Sequence, residues 1–123
     1  MQDILQPLLH KAQVQNLRLH LGRSGLWIGD SAQLRMMNDG HVGIFAQTRR
    51  SWGGLFLQRR LVQVGQLGAE DSDLLAVPLR DGHRLRVRIV GVTPEHLATE
   101  TGPEMFISVW ANSHKMMMPA QLA

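Results

Sequence analysis

Arg84, Arg86 and Arg88 alternate with Leu85, Val87 and Ile89 across residues 83–90 (HRLRVRIV). In an extended chain alternate side chains point to opposite faces, so this pattern makes a strand with an apolar inner face and a cationic outer one. Guanidiniums two residues apart on such a strand lie about 6.6–6.8 Å from one another. That spacing is close to the step between phosphates of an extended single strand. The stripe can therefore track a nucleic-acid backbone, with affinity coming from counterion release and little preference for sequence. The same stripe also suits a solvated face whose arginines pair with acidic cross-strand neighbours.

A second concentration of cations lies at residues 49–60 (RRSWGGLFLQRR), where Arg49, Arg50, Arg59 and Arg60 flank Trp52 and Phe56 around Gly53 and Gly54. Aromatic faces that stack bases, set among cations, form a platform for single-stranded nucleic acid. The glycines predict a mobile loop or the tip of a long hairpin. Two other readings stand beside this one. Trp52, Leu55 and Leu57 suit the core of a longer hairpin, and arginine with aromatics also suits a protein-interaction tip.

Enzymatic patterns are missing. The histidines at 10, 20, 41, 83, 96 and 114 show neither HxH nor HExxH spacing, which argues against a metal site. Cysteine is absent, which excludes disulfides, thiolate nucleophiles and Cys-based zinc sites. Glu70, Asp71 and Asp73 suit the N-terminus of a helix, where the dipole favours negative charge. No serine sits in a nucleophile elbow, and GRSG at 22–25 reads as a turn with no helix after it rather than a phosphate-binding loop. The expectation is a non-enzymatic binding module with no catalytic residue, metal or cofactor; the remaining enzymatic possibility is a site assembled from distant residues.

The elements that must position these residues follow from composition and pattern. A chain of 123 residues, 44% hydrophobic and 19% charged, fits one folded domain spanning 1–123. Its 13 basic and 10 acidic residues give a net charge of +3, with every cation except Lys11 and Lys115 an arginine. Arginine offers a planar fork of donors suited to phosphate, carboxylate and aromatic faces. The start of the chain does not read as a secretory signal, and no apolar run approaches the ~18 residues of a membrane span, so a cytoplasmic protein without a membrane partner is expected.

Residues 1–14, with Pro7 among paired leucines and isoleucine, predict an N-terminal arm or short helix. The alternation of NLRLHL at 16–21 predicts a strand. Residues 33–37 and 41–48 read as a hairpin around Asn38-Asp39-Gly40, and 61–67 as a further strand. Asp71 and Ser72 predict the cap of a helix that Pro78 limits to two turns at most before Asp81-Gly82 reverses the chain. A helical turn at Pro94-Glu95, a last strand over 105–111 and a frayed tail over 112–123 complete the reading. Together these give a mainly β fold, a small partly open barrel of about six or seven short strands with one or two short helices.

Within this plan the segment 62–92 resembles the second half of a HIRAN domain. The resemblance rests on Val64-Gly65-Gln66-Leu67, on Leu74-Leu75-Ala76-Val77-Pro78-Leu79, on Asp81-Gly82, and on the strand from Leu85 to Val92. Upstream, Leu34-Arg35 and the run from His41 to Ala46 take the places of the family's first strands. The R-E-x-x-N-x-x-D-x-x-A stretch usual in that family has no counterpart beyond Asn38-Asp39, and residues 49–60 stand as an insertion. The resemblance implies a small β-barrel with short helices that binds DNA ends or single strands, but it transfers no ligand-binding residue to a matching position. The main alternative is a structural or self-associating protein-interaction domain using Trp52, Phe56 and strand edges. A third is a barrel that binds a small molecule in an apolar pocket.

Overall fold

The computed structural model describes residues 5–52, 56–100 and 102–112, with side chains at all of these except 5, 49–52, 56–59 and 112. Six strands, β1 (Leu5–Gln13), β2 (Ser31–Met36), β3 (Val42–Trp52), β4 (Phe56–Gln66), β5 (Leu85–Thr93) and β6 (Glu104–Asn112), form one antiparallel sheet in the order β1-β6-β5-β2-β3-β4. Two helices, α1 (Leu21–Ser24) and α2 (Ala69–Arg80), and a 3₁₀ turn (Glu95–Leu97) join them. The sheet curls into a small, partly open barrel. Its edge strands β1 and β4 do not form a ladder, but just past β1 the chain bridges to the end of β4. Gln15 N donates to Gln66 O at 2.7 Å and Gln66 N to Gln15 O at 2.9 Å.

Gly65 makes room for that bridge, and Gly68 for the Gln15 side chain beside it. A Cβ on Gly65 would stand 2.4 Å from Val14 Cγ1 and 2.7 Å from Gln15 O, and one on Gly68 would stand 2.7 Å from Gln15 Nε2. Val64 and Leu67 beside these glycines are fully buried, which explains the V-G-x-L pattern in physical terms. The core they join includes Ile44, Leu75, Ile89, Met105 and Ile107, each worth roughly 1.5–3 kcal/mol of burial.

α2 closes one end. Its buried residues Ser72, Leu75 and Pro78 face the barrel. Ser72 does not cap the helix as expected; Gly68 is the N-cap, Asp71 sits in the first turn, and Ser72 lies inside. Its hydroxyl accepts a bond from Val42 N at 3.0 Å and donates to Leu67 O at 3.2 Å, tying together the helix, β3 and the exit from β4. α2 is also longer than the two turns expected: its 12 residues include Pro78 and run to Arg80, just before Asp81-Gly82. Proline removes one bond near the helix end, and the burial of Leu75 and Pro78 outweighs that loss.

Three further expectations are corrected. Residues 1–14 are not an arm or short helix; within them, residues 5–13 form β1, paired with β6 through register shifts between Pro7 and Leu9 and between Leu9 and Ala12. Those irregularities erase the period of two that would have announced a strand, and Pro7 is tolerated because β1 lies at an edge. Residues 16–21 do not form a strand. Leu17 and Leu19 pack on the core while Arg18 and His20 are exposed, but Asn16 turns the chain at φ 52°, and GRSG contributes to α1 rather than to a plain turn. The expected frayed tail falls, after Asn112, outside the described residues. Among the described residues no helix is long and apolar enough to cross a membrane.

A carboxylate fastens α1 to the 3₁₀ turn. Glu95 accepts from Leu21 N at 2.6 Å and Gly22 N at 3.1 Å, with His20 Nδ1 3.3 Å away. Partial desolvation works to raise its pKa, but the backbone N–H groups and the His20 ring outweigh this and hold it below the ordinary glutamate value. A depressed carboxylate pKa contributes stability that is complete above the unfolded value and lost as pH falls through the folded one. The destabilisation by Glu95→Gln, read as a shift in urea midpoint, is therefore expected to be full at neutral pH and to shrink in acid below the ordinary glutamate range. Gly65→Ala is expected to lower stability by about 1–3 kcal/mol by forcing Val14 and Gln15 off β4. An unshifted denaturation midpoint would contradict the closing bridge.

Candidate nucleic-acid interface

β5 presents its arginines as the alternation requires. Val87 and Ile89 are buried and Leu85 packs against the core, while Arg84, just before the strand, and Arg86 are exposed. Their neighbours in the sheet are not acids. Arg86 stands opposite Trp110, and Arg88 stands opposite Ser108 on β6 and Ser31 on β2. Arg88 is half-buried, donating to Ser31 Oγ and, at 3.5 Å, to Gly29 O. The acidic cross-strand partners that would have made this a self-neutralised face are replaced by an aromatic ring and two hydroxyls.

β6 places Phe106, Ser108 and Trp110 on the same outer side, because Met105, Ile107, Val109 and Ala111 fill the inside. Trp110 Nε1 donates to Ser108 Oγ at 3.2 Å, so the indole leans along the strand over Ser108, which is only 5% exposed. His10 meets the indole edge-on, with ring centres 6.4 Å apart. Phe106 stands opposite Gly91, where a Cβ would come within 3.2 Å of its ring. Lys11 Nζ lies 4.5 Å above the Phe106 centroid, in cation–π range. His10 and Lys11 reach β6 from the irregular stretch of β1 between Leu9 and Ala12. The acid of this row, Glu104, lies at its far end, opposite Thr93.

β2 divides its pairing. Ser31 and Ala32 pair with β5, whereas the residues from Gln33 to Met36 pair with β3. The two neighbours diverge there, opening a groove of about 450 Å³ lined by Asp30, Ser31, Gln33, Phe45, Gln47, Leu61 and Arg88, among others. Arg35 covers the Phe45 ring at 4.8 Å. β3 and β4 run on from Gln47 and Leu61 as a paired arm, so residues 49–52 and 56–60 pair with one another as the two sides of the long hairpin. Arg49 stands opposite Arg59, Arg50 opposite Gln58, Thr48 opposite Arg60 and Trp52 opposite Phe56. Arg60 is exposed; the expected roles of the Arg49, Arg50, Trp52, Phe56 and Arg59 side chains lie outside the described side chains, as do residues 53–55. The structure thus brings Arg88 to the root of the arm.

Sequence reading missed His10, Lys11, Phe106 and Trp110. The alternation of MFISVWA was visible, but both of its faces are largely apolar, and nothing local said which turned outward. Elsewhere, Asp39 and His41 meet in the β2–β3 turn. The His41 backbone N–H donates to Asp39 Oδ1 at 2.9 Å and, with the ring nearby, holds that carboxyl below its ordinary pKa. This is turn chemistry, and among the described residues no cluster of three or more metal-ligating side chains forms.

Fold and site together define a class: a small, partly open antiparallel barrel with a basic, aromatic-bearing outer face. No family model, curated protein or solved structure matches the chain.

Proposed function

We propose that the chain is a non-enzymatic, cytoplasmic module that binds nucleic acid, single-stranded or end-containing DNA, through Arg84, Arg86 and Arg88 together with the arm at 49–60. The observation that carries this reading is the register of β5. In the sheet register Arg86 and Arg88 stand opposite Trp110, Ser108 and Ser31 rather than acidic residues, and Arg86 is exposed, which suits it to an external anion. The HIRAN resemblance of residues 62–92 agrees with the same reading.

Single-stranded DNA is expected to bind at low salt with a linear dependence of log K on log salt concentration. In an Arg84/Arg86/Arg88→Ala triple variant that slope is expected to become shallower by about 2, the share of three phosphate contacts. Absence of binding at low salt, or a triple variant with unchanged affinity and slope, would falsify the proposal.

A protein-interaction or self-associating domain is the second reading, and one surface favours it. Trp27, Ile28 and Leu97 are more than half exposed near the contact of α1 with the 3₁₀ turn. Light scattering after size exclusion separates the two. A stable oligomer that Trp27→Ser or Leu97→Ser returns to monomer supports the second reading, and a monomer at all concentrations speaks against self-association.

A further inference from the structure

The arginine track leaves two aromatic rings of β6 without a role. Phe106 and Trp110 lie on the outer side of the sheet and are partly exposed, while the inside of β6 is already filled by four buried apolar side chains. They are not needed to complete the core. Each ring is set down along the sheet by a specific feature. Gly91 offers no Cβ beneath Phe106, and the Ser108 hydroxyl takes the Trp110 indole N–H at 3.2 Å. Both rings are partly exposed, Phe106 beneath the Lys11 ammonium and Trp110 beside His10.

The surroundings of the rings select among ligands. Lys11 flanks β6 on the β1 side, and Arg86 and Arg88 flank it on the β5 side. Trp110 lies four positions along the strand from Phe106, about 13 Å, or roughly two steps of an extended polynucleotide. A strand lying along β6 would set alternate bases over the two rings, its phosphates reaching the cations on either flank. A duplex offers no free base face to such rings, because its bases already stack on one another. An apolar protein partner would bring neither negative charge for Lys11, Arg86 and Arg88 nor a reason for the cations to border the rings.

From this geometry we infer that Trp110 and Phe106 form a two-ring stacking platform for unpaired bases, with Lys11 completing the cation row across from Arg86 and Arg88. The inference rests on the nucleic-acid reading and narrows its ligand to single strands. On binding, the Lys11 ammonium exchanges the Phe106 face for a phosphate, and His10 keeps its edge against the indole.

Fluorotryptophan-labelled protein tests this directly, since its three tryptophans give separate fluorine resonances and Trp110→Phe identifies the one concerned. Addition of an oligothymidylate is expected to shift the Trp110 resonance, while anisotropy of the fluorescein-labelled oligomer reports binding itself. Phe106→Leu is expected to weaken oligothymidylate binding about tenfold, the size of one lost stacking contact, and to change binding of a blunt duplex far less. Phe106→Leu also keeps the test open should substitution of Trp110 disturb folding. Rising anisotropy with an unmoved Trp110 resonance, or unchanged affinity in Phe106→Leu, overturns the platform and leaves the arginine track standing. No rise in anisotropy at low salt overturns both.

Discussion

The pair of backbone hydrogen bonds between Gln15 and Gln66 turns a six-stranded sheet into a barrel. Without them β1 and β4 would be two free edges, and the core between Leu67, Leu75, Met105 and Ile107 would open along that seam. The bonds require backbone to approach backbone more closely than a side chain at residue 65 would allow, so they depend on Gly65. Closure through these bonds and one from Arg18 N to Val64 O at 3.0 Å, without a full ladder, leaves the sheet free to splay elsewhere. β2 uses that freedom by pairing with β5 at its start and with β3 over the rest of its length.

That division of β2 decides where charge and polar chemistry meet. A strand paired along its whole length on both sides would have brought β3 as well as β5 against Ser31 and covered it. The divergence instead opens a groove beside Arg88 and sends β3 and β4 outward as a ribbon. Arg88 is pinned at the groove wall by Ser31 and Gly29, whereas Arg86 is exposed beside an indole. Two arginines of one stripe therefore have different surroundings: one is preorganised within a polar wall, the other is able to reach outward.

The helices serve the barrel more than the interface. α2 covers an end of the core and is locked by one buried hydroxyl, Ser72, which satisfies a donor on β3 and an acceptor after β4 at once. Buried polar groups are costly unless paired, so this single bifunctional contact both specifies the helix position and avoids two orphaned backbone groups. α1 is too short to stand alone and is held by Glu95 from a segment far along the chain. The apolar residues Trp27 and Leu97 remain outside this arrangement.

The mainly β class, the hairpin arms at 33–37 and 41–48, the presence though not the length of α2, and β5 with Leu85, Val87 and Ile89 turned inward were legible in the sequence. Their signals are local: alternation, Asn-Asp-Gly turn chemistry and helical spacing act within a few residues of one another. The outward direction of Arg84, Arg86 and Arg88 was legible for the same reason. β1 was not, because register shifts at Pro7 and Leu9 break the period, and its strand character comes from pairing with β6, far away in sequence. The false strand at 16–21 shows the converse: alternation records which side chains meet the core, and a ladder also needs a partner strand. Which residues surround the arginines was likewise a tertiary matter. Trp110 stands opposite Arg86, and Lys11 lies over Phe106, only because antiparallel register fixes the neighbours across three strands. The sequence by itself determined a cationic strand face; the register decided that aromatics and hydroxyls, rather than acids, lie beside it.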